Sequence, residues 1–230
     1  MSKPSTIAID GPAASGKSTV AALLARSLGY FYFDTGVMYR AVAWAALNQK
    51  IEINQVDQVS DLAERLTIEV QAEGLQDGRP YTVLVDGQDV TWQLRSPEVD
   101  RYVSRVSAYA RVRAALTVQQ RRLAAPGSII MVGRDIGTVV LPEADLKIFM
   151  QASAQERARR RYAEALAQGK AANFDEILEA IVERDEQDRA KTISPMIPAP
   201  DAVIVETDQM SIAEVLARLE QLVANSNEQA

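Results

Sequence analysis

The stretch GPAASGKST, residues 11–19, constrains the possible folds of this chain more than any other part of the sequence. Four of its residues follow the G-x-x-x-x-G-K-[ST] pattern of a phosphate-binding loop: Gly11, Gly16, Lys17 and Ser18. The β-branched run TIAID (6–10) predicts a buried strand before the loop, and VAALLARSLG predicts a helix after it that ends at Gly29. A glycine-rich turn with a surface lysine is the alternative, but the strand–loop–helix context favours nucleotide binding in an α/β protein.

The loop carries the groups that hold the phosphates of a nucleotide donor. Its glycines let the backbone curl so that successive N–H groups point inward, and the following helix N-terminus adds partial positive charge. We expect Lys17 to span the β- and γ-phosphates and the Ser18 hydroxyl to bind magnesium. The predicted ATP site is the whole loop: Gly11, Pro12, Ala13, Ala14, Ser15, Gly16, Lys17, Ser18 and Thr19.

Apolar strand-like segments alternate with amphipathic helices along most of the chain, which predicts a parallel sheet covered on both faces. Ligands bind at the carboxyl ends of such strands. The loops expected to bind ligands therefore follow Asp10, Phe33 and Val132. After the second strand, Thr35 is the predicted N-cap of a helix.

Residues 66–94 have a different pattern, in which apolar and polar residues alternate. The dipeptides Asp77-Gly78 and Asp86-Gly87 are hairpin turn signals within this region. The pattern predicts an inserted patch of about three antiparallel strands. Helical periodicity returns from Ser96 to about Ala125.

The composition excludes several chemistries. The 230 residues include neither histidine nor cysteine, which rules out Ser-His-Asp triads, cysteine nucleophiles, disulfides and ordinary zinc sites. A metal must be held by oxygen ligands, which favours Mg²⁺. The net charge of −6 disfavours nucleic acid as a partner. No apolar run approaches the roughly 18 residues of a membrane span, and no secretory h-region is evident, so we expect a cytoplasmic protein without membrane contact.

Charged residues follow two of the predicted strands. Arg40 lies in DTGVMYR after the second strand, and GRDIGT (133–138) places Arg134 and Asp135 after SIIMV. Small phosphoryl-transfer enzymes need such arginines because their catalysis is mostly positioning and charge neutralisation. The alternative for Arg40 is a surface position on its helix. The N-K-x-D stretch of a GTPase is absent.

Two further charged clusters lie on predicted helices. Arg157, Arg160 and Arg161 are spaced i, i+3 and i+4, which places them on one helix face. Arg184, Asp188 and Lys191 form a second polar stripe, for which a row of ordinary helical ion pairs is the alternative. Together the clusters suggest two anionic substrates in one cleft, where guanidinium groups and magnesium offset phosphate repulsion.

Five stretches, in order, resemble bacterial cytidylate kinases: IAIDGPAASGKST, YFDTGVMYR, GRDIGTVVLPEADLKIFM, ERARRRYAE and RDEQDRAKTISPM. The resemblance extends from about residue 5 to about residue 222. It implies one domain with a three-layer P-loop NTPase core and a parallel sheet, an inserted NMP-binding subdomain with a small antiparallel sheet, and a short helical lid. The implied core is 1–35, 106–152 and 190–225, the insert is about 36–105, and the lid is about 153–172.

The resemblance also implies a reaction, the transfer of the γ-phosphoryl group of ATP to CMP or dCMP with Mg²⁺. The implied catalytic residues are Lys17, Arg40, Arg134, Arg157 and Arg161. Arg157 and Arg160 would bind ATP as parts of a mobile lid that excludes water. The implied CMP site consists of Asp34, Thr35, Tyr39, Arg40, Ser104, Arg113, Arg134, Asp135, Arg184, Asp188 and Lys191.

Within that site the resemblance assigns roles by group. The acceptor phosphate would be bound by Arg40 and Arg134. The cytosine would be bordered by Thr35, Arg113 and Asp135. The sugar would be contacted by Ser104, Arg184 and Asp188. Two positions depart from the family pattern: Lys191 stands where arginine is usual, and Val132 stands where an acidic residue often precedes GRD. Both departures could alter acceptor preference. The resemblance is also compatible with a monomer.

Two other functions fit the same sequence features. One is a kinase for another small acceptor, such as UMP, AMP or a hydroxylated metabolite like shikimate. The other is a non-catalytic module that binds ATP to change shape. An acceptor panel separates the kinases, and the sensing module predicts ATP binding without CMP-dependent release of ADP.

Overall fold

The computed structural model describes residues 3–71, 77–190 and 192–226, which form two compact units. Unit 1 runs up to Phe33 and resumes at Gly127, and unit 2 is Asp34–Pro126. The strands and helices of unit 1 are β1 (Thr6–Asp10), α1 (Lys17–Leu28), β2 (Phe31–Asp34, whose last residue begins unit 2), β6 (Ile129–Gly133), β7 (Leu146–Gln151), α6 (Ala154–Ala167), α7 (Phe174–Arg189), β8 (Val203–Glu206) and α8 (Ile212–Ser226). Those of unit 2 are α2 (Gly36–Asn48), α3 (Val56–Arg65), β3 (Ile68–Gln71), β4 (Thr82–Val85), β5 (Gln88–Asp89), α4 (Pro97–Val106) and α5 (Ala110–Ala124).

Unit 1 is built around a five-stranded sheet of order β2-β6-β1-β7-β8. The pairings of β1 with β6, β1 with β7 and β7 with β8 are all parallel, which confirms the predicted α/β class. Asp10, the last residue of β1, lies opposite Gly133 of β6 and Phe149 of β7. The loops that follow Asp10 and Gly133 therefore leave the same edge of the sheet side by side.

The core of unit 1 consists of aliphatic side chains from the sheet and from α1 and α8. Ile7 and Ile9 of β1, Leu24 of α1, Ile130 of β6 and Leu219 of α8 are all fully buried in one cluster. The helical spacing of Val20 and Leu24 in α1 produces this packed face. Burial of each such side chain contributes about 2 kcal/mol to the stability of the folded state. The packed sheet therefore provides a firm base for the loops at its carboxyl edge.

Unit 2 contains the predicted antiparallel sheet, with strand order β3-β4-β5. Asp86 and Gly87 form the two-residue turn between β4 and β5 and have φ angles of 49° and 80°. Two consecutive positive φ values are what a tight hairpin turn requires, which explains the Asp-Gly pair. The second signal, Asp77-Gly78, falls in the β3–β4 connection, and residues 72–76 of that connection lie outside the described residues.

The predicted helical region from Ser96 to about Ala125 is helical and consists of two helices. Helix α4 ends at Val106 and α5 begins at Ala110. Between them Tyr109 has extended backbone angles, and its hydroxyl donates a hydrogen bond to the Ile53 carbonyl at 2.8 Å. A tertiary hydrogen bond at the N-terminus of α5 accompanies the break, and periodicity alone does not predict it.

Thr35 occupies the predicted N-cap position of α2, but its side chain does not cap the helix. Thr35 precedes the helix, but its backbone is already helical, with φ −63° and ψ −21°, and its side chain makes no capping hydrogen bond. A capping residue normally has extended backbone angles. The Asp34 Oδ1 atom instead accepts a hydrogen bond from the Gly36 N–H at 3.0 Å.

Unit 2 extends to Pro126, so it includes α5 as well as the whole range assigned to the NMP-binding insert. The functional division into core, insert and lid stays a prediction. Among residues 3–71, 77–190 and 192–226, no helix has both the length and the apolar character needed to cross a bilayer.

Candidate active site

The loop after β1 has a backbone that only glycine permits at two positions. Gly11 has φ 144°, and a Cβ atom added there would lie 2.0 Å from the Met150 carbonyl oxygen. Gly16 has φ 89° and occupies the N-cap of α1. Because Gly16 has no side chain, it leaves the N–H groups of the first turn of α1 available to a phosphate.

Lys17 is the first residue of α1 and is only 5% exposed. Its Nζ atom donates a hydrogen bond to the Pro12 carbonyl at 2.6 Å and lies 3.5 Å from Ser15 Oγ. The ammonium group therefore reaches back across the loop. Ser18 and Thr19, in the same first turn, are exposed to solvent.

Arg157 of α6 supports the phosphate-binding loop from below the surface, since it is only 2% exposed. Its Nε donates to the Ala152 carbonyl at 2.9 Å, and its NH1 donates to the Ala13 carbonyl at 3.2 Å. Both terminal nitrogens also bind the carboxylate of Asp185 on α7, with NH1 3.0 Å from Oδ1. The guanidinium thus links the loop to α7.

Arg160 contacts the same loop from the next turn of α6. Its NH1 lies 3.4 Å from the Ser15 carbonyl and 3.2 Å from Thr207 Oγ1, and its Nε is 3.1 Å from Glu156 Oε1. Arg161 differs, because its side chain is exposed and makes no hydrogen bond or ion pair with the residues that the structure describes. The three arginines predicted to act together are therefore divided into two that hold the loop and one that faces solvent.

The end of β6 presents Arg134, whose side chain is 28% exposed. Its Nε lies 3.2 Å from Asp188 Oδ2 of α7, and its NH1 lies 3.3 Å from the Gly133 carbonyl. The next residue, Asp135, is buried and precedes a single π-type turn, Ile136–Val140. The structure therefore brings together Arg134 and Asp188, as expected for one binding site.

Asp10 belongs to this site, a role that its position at the end of a predicted strand does not reveal. Its two carboxylate oxygens accept hydrogen bonds from the N–H groups of Ile136 and Gly137, at 2.8 and 2.7 Å. Burial raises the pKa of Asp10 to about 6, and these two hydrogen bonds act in the opposite direction. The sequence signal that could have identified Asp10 is its carboxylate, which stands between a buried strand and the first glycine of the phosphate-binding loop.

Asp185 is the second residue that sequence reasoning missed. The predicted polar stripe on α7 consists of Arg184, Asp188 and Lys191 and does not include the carboxylate between the first two. Asp185 and Asp188 are both buried on one side of α7, while Arg184 is half-buried. Lys191 lies outside the described residues. Asp188 forms an ion pair with Arg134, which belongs to another element.

In unit 2, two of the predicted CMP-site residues contact each other. The Arg113 guanidinium stacks 5.3 Å above the Tyr39 ring, and its NH1 donates to the Ser107 carbonyl at 3.0 Å. Both side chains are about 7% exposed. A planar cation stacked on an aromatic ring makes a rigid platform, which can orient a flat ligand.

Arg40 is the other cationic member of the predicted site in unit 2. It forms an ion pair with Asp100 and donates a hydrogen bond to the Leu94 carbonyl at 3.1 Å. Its side chain is 28% exposed and that of Asp100 is 52% exposed. Of the remaining members in this unit, Thr35 is buried, whereas Asp34 and Ser104 are half-buried.

A cavity of about 570 Å³ lies beside the phosphate-binding loop in unit 1. Pro12 and Arg157 border it on the side of the loop, and Met196, Ile197 and Pro198 contribute apolar surface. A space of this size with apolar walls and a few polar groups is typical of a small-ligand site.

Within the described residues, no three or more carboxylates cluster closely enough to form a metal site of their own. The donor set fits Mg²⁺ in a different way, since the exposed Ser18 hydroxyl lies at the N-terminus of α1. Mg²⁺ is commonly held by one or two protein oxygens together with the phosphates of its substrate.

Comparison with known proteins gives consistent matches over almost the whole chain. A family model described as cytidylate kinase matches residues 7–225. The chain is 51% identical over 217 residues to a cytidylate kinase of Chloroflexus aggregans, with 94% of this chain and 93% of that protein covered. It is 44% identical to a cytidylate kinase of Limosilactobacillus reuteri, with 100% and 99% covered.

Solved structures resemble the chain more distantly. A shikimate kinase from Bacteroides thetaiotaomicron has 14% identity and a TM-score of 0.46, with 95% of this chain and 98% of that chain covered. The TT1252 protein of Thermus thermophilus has 21% identity and a TM-score of 0.48, with 97% and 98% covered. The family model and the identities over almost the whole length are decisive, and the chain belongs to the cytidylate kinase family.

Proposed function

We propose that this chain transfers the γ-phosphoryl group of ATP to CMP or dCMP and so produces ADP with CDP or dCDP. Membership of the family makes it a phosphotransferase whose acceptor is a phosphate group. One observation carries the proposal for this chain: Asp10 and Gly133 are partners in the sheet register, so the phosphate-binding loop and Arg134 leave it side by side. A donor phosphate and an acceptor phosphate need to meet at such a place.

The donor half of the mechanism rests on the loop and Lys17. The first-turn N–H groups of α1 would bind the phosphates, and the Lys17 ammonium, already next to the Pro12 carbonyl, would swing to the β- and γ-phosphates. Arg157 and Arg160 hold the carbonyls of Ala13 and Ser15 and so keep the loop curled. Fixed positive charge around the transferred group stabilises the transition state without reorganisation.

Magnesium would be held by the Ser18 hydroxyl together with phosphate oxygens of ATP. Bound there, the ion would supply positive charge that offsets the charge developing on the phosphates. The residues of this chain contribute one ligand and the orientation of the nucleotide around it.

The acceptor half rests on Arg134, oriented by the Asp188 carboxylate at 3.2 Å. A guanidinium whose Nε is held by a carboxylate keeps its terminal N–H groups directed at a phosphate. Arg40 of unit 2 stays the predicted second ligand of that phosphate. Arg113, which stacks on the Tyr39 ring, is a predicted neighbour of the cytosine together with Thr35 and Asp135.

The mechanism needs no general base. The phosphate of CMP is ionised at neutral pH, so its oxygen can attack the γ-phosphorus directly once the charges of the two phosphates are offset. Neither Asp34 nor Asp135 is therefore needed as a base. Asp10 has both of its carboxylate oxygens engaged by backbone N–H groups, which is a structural role.

The test is an ADP-release assay with Mg²⁺–ATP and five separate acceptors: CMP, dCMP, UMP, AMP and shikimate. We expect CMP and dCMP to give the highest kcat/KM. Strong turnover of AMP or shikimate without turnover of CMP would refute the assignment. ATP binding without acceptor-dependent ADP release would favour a sensing module. The ranking of CMP, dCMP and UMP comes from the same measurement, and a gel-filtration run checks the predicted monomer.

A further inference from the structure

We propose that Asp185 is a positioning residue of the donor site, which acts through Arg157 to set the affinity for ATP. Within the part of the chain that the structure describes, the side chain of Asp185 hydrogen-bonds to Arg157 and not to the loop itself. The expectation for CMP rests on the proposed function. The expectation for ATP requires only that the loop binds ATP.

The geometry of the pair is specific. Asp185 lies on α7 and Arg157 on α6, and the side chains are 7% and 3% exposed. The carboxylate accepts from both terminal nitrogens of the guanidinium, one hydrogen bond to each oxygen. A bidentate, desolvated pair of this kind fixes the plane of the guanidinium as well as its position.

Arg157 has little remaining freedom. Its Nε binds the Ala152 carbonyl and its NH1 is shared between Asp185 and the Ala13 carbonyl of the phosphate-binding loop. The hydrogen bond to Ala13 fixes a peptide unit whose neighbour, Ala14, has φ 60°. A non-glycine residue in that conformation is strained, and the surrounding contacts must hold it in place. Asp185 therefore helps to maintain the loop in the curled form that binds phosphate.

The carboxylate is the component that makes this arrangement possible. A guanidinium that is almost fully buried keeps its charge, so without a partner it is driven toward water. Rotation of Arg157 toward solvent would break its bond to the Ala13 carbonyl. Replacement of Asp185 by asparagine leaves a side chain of the same shape, but it has one acceptor oxygen and no charge to hold both nitrogens.

Helix α7 uses a second carboxylate three residues later for a different arginine. Asp188 pairs with Arg134, the predicted acceptor ligand, whereas Asp185 pairs with Arg157 at the donor loop. Residues three apart lie on the same side of a helix. One helix thus orients an arginine for each substrate, and the two carboxylates are expected to affect different substrates.

The experiment compares Asp185→Asn with Glu186→Gln in the full chain. Glu186 is the exposed neighbour of Asp185, so its substitution removes the same charge from the same helix without touching Arg157. The first readout is the Kd for ATP, measured by equilibrium binding with no acceptor present. The second is the KM for ATP and for CMP in the ADP-release assay.

We expect Asp185→Asn to raise the Kd and the KM for ATP by about tenfold or more, the factor that the loss of a charge-assisted hydrogen bond produces. The KM for CMP should match that of Glu186→Gln. A lower thermal midpoint with an unchanged ATP Kd would reduce Asp185 to a purely structural residue and overturn the proposal. Equal increases in both KM values would also overturn it.

A second pair of variants keeps the test decisive if Asp185→Asn does not fold. Asp185→Glu retains the charge but displaces the carboxylate, and Arg157→Lys retains the cation but loses the bidentate fork. Each should raise the ATP Kd, and the double variant should raise it by much less than the product of the two effects. Additive effects would show that the two residues act independently. A wild-type chain that binds ATP but does not turn over CMP would refute the proposed acceptor without affecting this result.

Discussion

The Asp10 Oδ2 atom accepts a hydrogen bond from the Gly137 N–H at 2.7 Å. Asp10 immediately precedes the phosphate-binding loop, and Gly137 lies in the turn that follows Arg134 and Asp135. The bond therefore ties the start of the phosphate-binding loop to the segment that presents Arg134, the proposed acceptor ligand. Both halves of the site share one buried carboxylate as their support.

This carboxylate gives the stability of the protein a pH dependence of predictable sign. Burial raises the Asp10 pKa from 3.8 to about 6, so the folded state binds its proton more tightly than the unfolded state does. The contribution of Asp10 to the free energy of unfolding should therefore decrease as the pH rises from about 4 to about 6, and it should stay constant above that range. The full change is on the order of 3 kcal/mol.

Urea denaturation at several pH values between 4 and 8 checks this, with wild type compared with Asp10→Asn and Glu98→Gln. Asp10→Asn removes the titrating group, so its free energy of unfolding should rise relative to wild type as the pH increases from 4 to 6. Glu98 is exposed, and its variant should follow wild type. Parallel curves for wild type and Asp10→Asn would mean that Asp10 does not titrate in this range.

Gly11→Ala should destroy the donor site. The added Cβ would lie 2.0 Å from the Met150 carbonyl, and the φ of 144° is unfavourable for alanine, so the loop must move away from β7. Gly29→Ala is the matched control, because Gly29 also has a positive φ, 72°, but no heavy atom lies within 4 Å of the added Cβ. We expect Gly29→Ala to cost about 1–2 kcal/mol and to bind ATP normally. Isothermal titration of ATP distinguishes them, and normal binding by Gly11→Ala would contradict the close approach.

Lys17→Met should abolish most of the turnover while the fold persists. Methionine fills the buried space of the lysine stem but cannot place a charge on the β- and γ-phosphates. We expect kcat to fall by about 100-fold or more. Lys3→Met replaces an exposed lysine of unit 1 outside the site and should keep wild-type kcat. The circular dichroism spectrum verifies folding, and a folded Lys17→Met enzyme with near-normal kcat would remove Lys17 from the mechanism.

The phosphate-binding loop could be predicted because its geometry is local. The strand before it, the glycines and the helix after it are contiguous, so their sequence pattern determines the backbone. Asp185 could not be found in this way, since its role depends on Arg157, 28 residues earlier on another helix. The same holds for the interruption at Tyr109, where a hydroxyl reaches Ile53. Patterns of periodicity describe which face of a helix is polar but not which partner that face meets.

The pairing of Arg40 with Asp100 has a consequence for acceptor affinity. If Arg40 binds the acceptor phosphate as proposed, CMP must compete with the Asp100 carboxylate for the same guanidinium. Asp100→Asn removes that competitor, so the KM for CMP should fall. The side chains are 28% and 52% exposed, which limits the effect to about two- to fivefold.

The control is Glu98→Gln, which removes a charge from the first turn of the same helix without affecting Arg40. Arg40→Ala provides the opposite limit and should raise the KM for CMP while the KM for ATP stays unchanged. The measurement is the initial rate of ADP release at varied CMP and saturating ATP. A higher KM for CMP in Asp100→Asn would show that the carboxylate orients Arg40 for the phosphate rather than competing with it.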